Sequence, residues 1–139
     1  ERLELELTES LIAQDIEQVT ETINQLKEIG VKLSIDDFGT GYSSLSYLKS
    51  FRVDTLKIDQ SFVRNMLSET EDSTIVLAVI ALAHSLKFKV IAEGVETEQH
   101  CRFLQMHHCD EIQGYYFSKP VMANEFESIL QSGRRLELD

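Results

Sequence analysis

Val31-Lys32-Leu33-Ser34-Ile35-Asp36-Asp37-Phe38-Gly39-Thr40-Gly41 is the stretch on which the fold turns. Val31, Leu33 and Ile35 alternate with Lys32, Ser34 and Asp36, the period of a strand with one apolar and one polar face. The polar face closes on adjacent acids, and the Gly39–Gly41 loop that follows leads toward a short helix near Leu45–Leu48. The same unit stands upstream. Residues 2–8 set Leu3, Leu5 and Leu7 against Glu4, Glu6 and Thr8. From a cap at Ser10, Ile12, Ile16, Val19, Ile23, Leu26 and Ile29 then recur at helical spacing until Gly30.

Downstream the alternation of strand and helix continues. Val53–Ile58 reads as a third strand, Phe62–Leu67 as a short helix and Glu69–Asp72 as an acidic bend. Ile75, Val76, Val79, Ile80, Ala83 and Leu86 give the strongest helix a broad apolar stripe. Lys89–Glu93 is a fourth strand, Thr97 caps a helix to about Met106, Glu111–Tyr115 is a fifth strand, and Ala123–Gln131 is a last helix stopped by Gly133. Such an order indicates a parallel β/α architecture. The polar strand ends Glu6, Asp36, Lys57, Glu93 and Gln113 are 30, 21, 36 and 20 residues apart, about 27 on average. A (β/α)8 barrel averages about 31 residues per unit. An open doubly wound sheet fits that spacing too, but its strands are apolar on both faces, whereas these alternate. The expected fold is therefore a TIM-like (β/α)8 barrel, of which this chain holds about five C-terminal units within a single domain over 1–139. The chain opens in a strand without Met, and three further strands are expected upstream.

Composition narrows the partners. Net charge is −11, from 24 acidic against 13 basic residues, which disfavours binding a nucleic-acid polymer through its phosphates. The longest apolar run, Ile75 to Ala83, is nine residues, far from the roughly 20 that a membrane span needs. With two cysteines and no signal segment, the expected setting is cytoplasmic, with no membrane insertion of this chain. Cys101, His107, His108 and Cys109 match no usual zinc spacing and read as a helix-end cluster.

Side chains at the C-terminal ends of parallel strands converge on one mouth, so Glu6, Asp36, Asp37, Lys57, Glu93, Glu96 and Gln113 are candidates for one site. Several carboxylates with one lysine repel unless cations intervene, and a pair of hard cations such as Mg²⁺ answers the repulsion. Adjacent acids at a strand end can serve two neighbouring metals, and the two glycines let the loop fold closely over them. Singly, each acid is better read as a solvated strand-end charge, and it is their joint placement at successive strand ends that favours a site. Asp37-Phe38-Gly39 by itself suggests a protein kinase, but no Gly-rich loop with its lysine and no His-Arg-Asp segment precede it. Tyr115-Tyr116-Phe117 reads as strand and core, with an aromatic at the mouth able to stack on a base.

The strings DDFGTGYSSL at 36–45, ELTE at 6–9, LKID at 56–59, AEGVE at 92–96 and QGYYFSKP at 113–120 together resemble the EAL-type phosphodiesterases of cyclic-di-GMP signalling. The resemblance runs along nearly the whole chain in the family's order. It implies a (β/α)8-like barrel that uses Mg²⁺ or Mn²⁺ to cut cyclic di-GMP to linear pGpG. Position by position, it implies that Glu6 and Asp36 bind one metal and that Asp36 bridges to a second, which Asp37 and Glu93 help hold. Glu93 is also implied as general base, Lys57 as the residue orienting water and phosphate, and Glu96 and Gln113 as substrate or supporting contacts. Glu9 matches the glutamate that anchors the loop of Phe38, Gly39, Thr40 and Gly41, which the family links to dimerisation and regulation.

The family's Glu-Ala-Leu strand, with its metal-binding Glu and the Arg after it, and the Asn of the next strand are not in this sequence and are expected upstream of Glu1. The expectation is thus a competent domain cut short, inactive alone, that forms a homodimer or pairs with its missing N-terminal part. The alternative is a receptor or interaction domain that binds cyclic di-GMP without cutting it. An unrelated open-sheet domain would leave DDFGTGYSSL as an accident.

Overall fold

The alternation at 31–36 is realised as the second strand of a parallel sheet. The structure, a computed structural model, describes residues 3–8, 16–41 and 48–136. In chain order the elements are β1 (Glu4–Thr8), α1 (Ile16–Ile29), β2 (Lys32–Phe38), β3 (Thr55–Ile58), α2 (Gln60–Asn65), α3 (Thr70–Ser85), β4 (Lys89–Ala92), α4 (Glu98–Met106), β5 (Glu111–Ile112) and α5 (Ala123–Ser132). The five strands pair in sequence order, all parallel, as an open section of a barrel with β1 and β5 at its edges.

Register sorts the side chains into two faces. Leu7 lies opposite Ile35, Ile35 opposite Leu56, Leu56 opposite Val90 and Ala92 opposite Ile112. This apolar row packs outward under the helices. Leu33, Ile35, Leu56, Ile58, Val90 and Ala92 are wholly buried there with Ile23 of α1, Val63 of α2, Val76 and Ile80 of α3 and Leu104 of α4. The other row, with Glu6 opposite Ser34 and Ser34 opposite Thr55, lines the inner face, where Ser34, Thr55 and Lys57 are buried.

The N-terminal ends of the strands carry one device twice. Asp54, just before β3, accepts a hydrogen bond from Leu33 N at 2.8 Å and pairs with Lys27 Nζ at 2.7 Å. Asp110, just before β5, accepts from Val90 N at 2.9 Å and pairs with His84 Nε2 at 2.9 Å. Lys27 and His84 each stand in the last turn of the helix that feeds the strand so tied. The Lys27 cation there faces the negative end of a helix dipole.

Several elements differ from the sequence expectation, β3 starting at Thr55 rather than Val53 and α2 at Gln60 rather than Phe62. β2 runs through Phe38 rather than stopping at Asp36. The expected bend at 69–72 is instead the start of α3, with Glu71 and Asp72 in its first turn, where acids complement the helix dipole and the hydroxyls of Ser73 and Thr74 bond back to Thr70 O. β5 ends at Ile112, not Tyr115, because the chain turns at Gly114 against the backbone of Val95. α5 is present, but none of its residues is buried, and Met122, Phe126 and Leu130 stand exposed. The cap expected at Ser10, Glu9 and most of the short helix expected near Leu45–Leu48 lie outside the described residues. Among the described residues, no helix is long and apolar enough to cross a membrane.

Candidate functional site

Strict alternation would point Asp36 and Asp37 to opposite faces. The structure breaks it. Ile35 pairs with Leu56 and Phe38 with Ile58, so β2 places two residues, Asp36 and Asp37, opposite the single Lys57 of β3. This is a β-bulge, a device that bends a strand and re-aims a side chain. Asp37 takes the left-handed conformation, φ 55°, which Asp tolerates better than most residues. Consequently oxygens of Asp36, Asp37 and Glu93 all lie within 4.8 Å of one another. Beyond the bulge Thr40 closes the turn, donating from Oγ1 to Asp37 O at 2.9 Å. Gly39 is at φ 103°, with the ring of Phe62 only 2.9 Å from where a Cβ would stand. Phe38 itself points into the core.

Lys57 is the centre of the acidic group. Its ammonium is 2.6 Å from Glu6, 3.0 Å from Asp36 and 2.8 Å from Glu93, and its side chain is only 6% exposed. Burial works to lower its pKa, but the close carboxylates of Glu6, Glu93 and Asp36 outweigh it and hold the group well above the ordinary lysine value. Four strands, β1, β2, β3 and the end of β4, thus deliver one side chain each to a single point.

One participant escaped the sequence reading. Asp59, two residues beyond Lys57, caps α2, accepting from Ser61 N at 2.8 Å and from the Ser61 hydroxyl. Its carboxyl also lies beside that of Asp37. Partial burial, then the neighbouring Asp36 and Asp59, raise the Asp37 pKa; the Ser61 hydrogen bonds lower that of Asp59 against the opposing pull of burial. The signal was the period-two spacing from Lys57, masked by the ordinary role of Asp as a helix cap.

These residues fit a divalent cation. Three carboxylates, Glu6, Asp36 and Glu93, meet one ammonium, with Asp37 beside them, and Asp36 Oδ1 is buried without a well-directed hydrogen bond even though Lys57 is close. A hard cation with oxygen ligands would satisfy that atom and the uncompensated charge together.

Beside the cluster a cavity of about 540 Å³ is lined by Glu93, Glu96, Gln113, Gln60, Arg64, Tyr115 and Lys119, with Phe126 and Ile129 of α5 closing one side. Ligand pockets of small molecules are of this size. The structure therefore brings Glu96 and Gln113 to the cavity and Glu6, Asp36, Asp37 and Glu93 to the cluster, with Glu93 belonging to both. Two glycines permit the close approach: at Gly94, φ 70°, a Cβ would stand 2.6 Å from Gln60 Cβ, and at Gly114 it would meet Val95 O at 2.1 Å. The cysteines are elsewhere. Cys101 is buried in α4, and burial pushes the Cys109 thiol up to about 11, leaving it a protonated donor to Glu111 O.

Comparison with known proteins places this geometry. NbdA of Pseudomonas aeruginosa, a cyclic di-GMP phosphodiesterase, is 47% identical over 132 residues, which are 95% of this chain and 17% of that protein. The solved EAL domain of Mycobacterium smegmatis DcpA superposes with a TM-score of 0.88 at 50% identity over 96% of this chain and 60% of the other. The phosphodiesterase MucR of P. aeruginosa, solved with cyclic di-GMP, does so with 0.87 at 43% identity over 89% of this chain and 50% of its own. The chain thus spans half to three-fifths of these solved chains and under a fifth of NbdA. The EAL domain model matches residues 1–120, and with that match and these relatives the chain belongs to the EAL domain family, the family of the cyclic di-GMP phosphodiesterases.

Proposed function

We propose that this chain carries the metal-binding half of a domain that hydrolyses cyclic di-GMP to linear pGpG. The observation that carries the reading is the bulge, which turns two adjacent aspartates onto the point where Glu6, Lys57 and Glu93 already meet. Glu6, Asp36, Asp37 and Glu93 would hold Mg²⁺ or Mn²⁺ in a two-metal site, with Asp36 shared and Asp59 supporting Asp37. When bound, the cations would polarise the scissile phosphodiester and acidify the attacking water.

The rest belongs to the chain's own side chains. Glu93, half in the cluster and half in the cavity, is placed to take the proton from water as general base. Lys57, beside Glu6, Asp36 and Glu93, would act as a positive hydrogen-bond donor toward the water and phosphoryl oxygens. Glu96 and Gln113 orient the nucleotide in the cavity. Phe38, Gly39, Thr40 and Gly41 form the loop through which the site would be regulated, with Glu9 matching the glutamate that anchors that loop in the family, and a second copy or the complementary barrel half would cover the open sheet edges. An open parallel edge otherwise offers unpaired backbone groups.

The test is hydrolysis of cyclic di-GMP with Mg²⁺ or Mn²⁺ by this chain alone and by the chain joined behind the upstream half of the MucR EAL domain. Turnover in the joined form that falls about 10²–10⁴-fold in Glu93→Gln supports the reading. Tight binding with no turnover in either form would make the chain a receptor instead.

A further inference from the structure

A cyclic dinucleotide carries two phosphodiesters, and the carboxylate cluster can serve one of them. The other must be met by charge near at hand, since a chain of net charge −11 exerts no general attraction on an anion. The cavity beside Glu93 has two basic residues among those lining it, Arg64 and Lys119. The Lys119 ammonium lies over the ring of Tyr115, 5.7 Å from its centre. Arg64 stands in the last turn of α2, whose first residue Gln60 packs against Gly94 and whose cap Asp59 touches Asp37. The helix that carries it is therefore registered on the cluster from its other end.

The Arg64 guanidinium is 3.7 Å from Glu96 Oε1, too long for a hydrogen bond, and both side chains are about half exposed, 59% and 47%. Such a pair is loosely held in water and easily exchanged for a better partner. A phosphodiester is that partner, because a planar guanidinium can donate two parallel hydrogen bonds to it.

We propose that Arg64 is a specificity residue that binds the phosphodiester not being cut, with Glu96 holding it in place until the ligand arrives. This rests on the functional reading above and adds to it the way the site tells a cyclic dinucleotide from a ligand with a single phosphodiester. The experiment compares binding of cyclic di-GMP and of the linear dinucleoside monophosphate GpG in the joined form, read by rapid mixing before turnover. The parent is expected to prefer cyclic di-GMP, and Arg64→Ala to weaken cyclic di-GMP about tenfold with little change for GpG, so that the preference collapses. Arg64→Lys should restore part of it.

Equal weakening of both ligands, or a lowered thermal midpoint without a change of preference, would show a structural role and overturn the proposal. So would a variant that binds cyclic di-GMP as the parent does. If the parent binds neither ligand, the functional reading itself fails and this inference falls with it.

Discussion

Aspartate is used in opposite ways at the two ends of the sheet. At the N-terminal ends, Asp54 and Asp110 are fully engaged, each with a backbone N–H and a basic side chain, and despite burial those bonds lower both pKa values. At the C-terminal ends, Asp37 is crowded by burial, Asp36 and Asp59 until its pKa rises, and Asp36 Oδ1 is left without a well-directed hydrogen bond. The first end is built to be stable as it stands. The second is built to be completed by something else, which is how parallel β/α proteins divide the labour between their faces.

The largest test of this contrast is Lys57→Met. It leaves Glu6, Asp36 and Glu93 facing one another with no cation, and should cost about 3–5 kcal/mol of stability without metal, as loss of one partner from a buried ionic group does. Denaturant unfolding should show the loss, shrinking with Mg²⁺. A loss independent of Mg²⁺ would mean that Lys57 matters for packing alone.

Next in size is Gly114→Ala, whose Cβ would stand 2.1–2.7 Å from backbone atoms of Val95. Backbone on both sides cannot yield, and about 1–3 kcal/mol is expected in the same measurement. The opposite end predicts about 1–2 kcal/mol for Asp54→Asn, which loses the Lys27 pair but keeps an acceptor for Leu33 N. A carboxylate with a depressed pKa contributes stability that is present above its unfolded pKa and lost as pH falls through the folded one. Acid unfolding of the metal-free protein should therefore begin below about pH 4, with a shallower pH dependence in Asp54→Asn.

Asp37→Asn should give the smallest effect and the reverse sign. Its folded pKa is raised, so ionisation opposes folding as pH climbs past the unfolded value, and the amide removes that opposition. Because Asp37 is largely exposed, the gain should stay below about 0.5 kcal/mol, while affinity for Mn²⁺ falls. A loss of stability would show that the bulge needs the carboxylate for its shape.

How far the sequence could be read follows the same divide. Leu33, Ile35, Leu56 and Val90 announced their strands because burial on one face imposes a period of two. The polar residues of that pattern led directly to Glu6, Asp36, Lys57 and Glu93. Asp37 could be read from its place beside Asp36 at the strand end and from the resemblance but not from the alternation, since a bulge reverses the alternation and only pairing with Leu56 and Ile58 reveals it. Asp59 was hidden by serving as a cap and a neighbour of Asp37 at once. Thr70–Asp72 was misread because acids and hydroxyls favour bends and helix starts alike, and only the packing of α3 decides between them.

The paired ties beneath the sheet bear on how such a chain can be rearranged. Six residues separate Lys27 from Leu33 and six separate His84 from Val90, and the aspartates follow at 54 and 110. Helix, strand and the start of the next strand form a cassette with its own fastening, and the described residues contain two, from α1 to β3 and from α3 to β5. Since each is secured without reference to the carboxylate end, a recombined gene that exchanges cassettes between relatives should preserve strand register at both joints. The chemistry at the mouth could then be shuffled over a foundation that already fits.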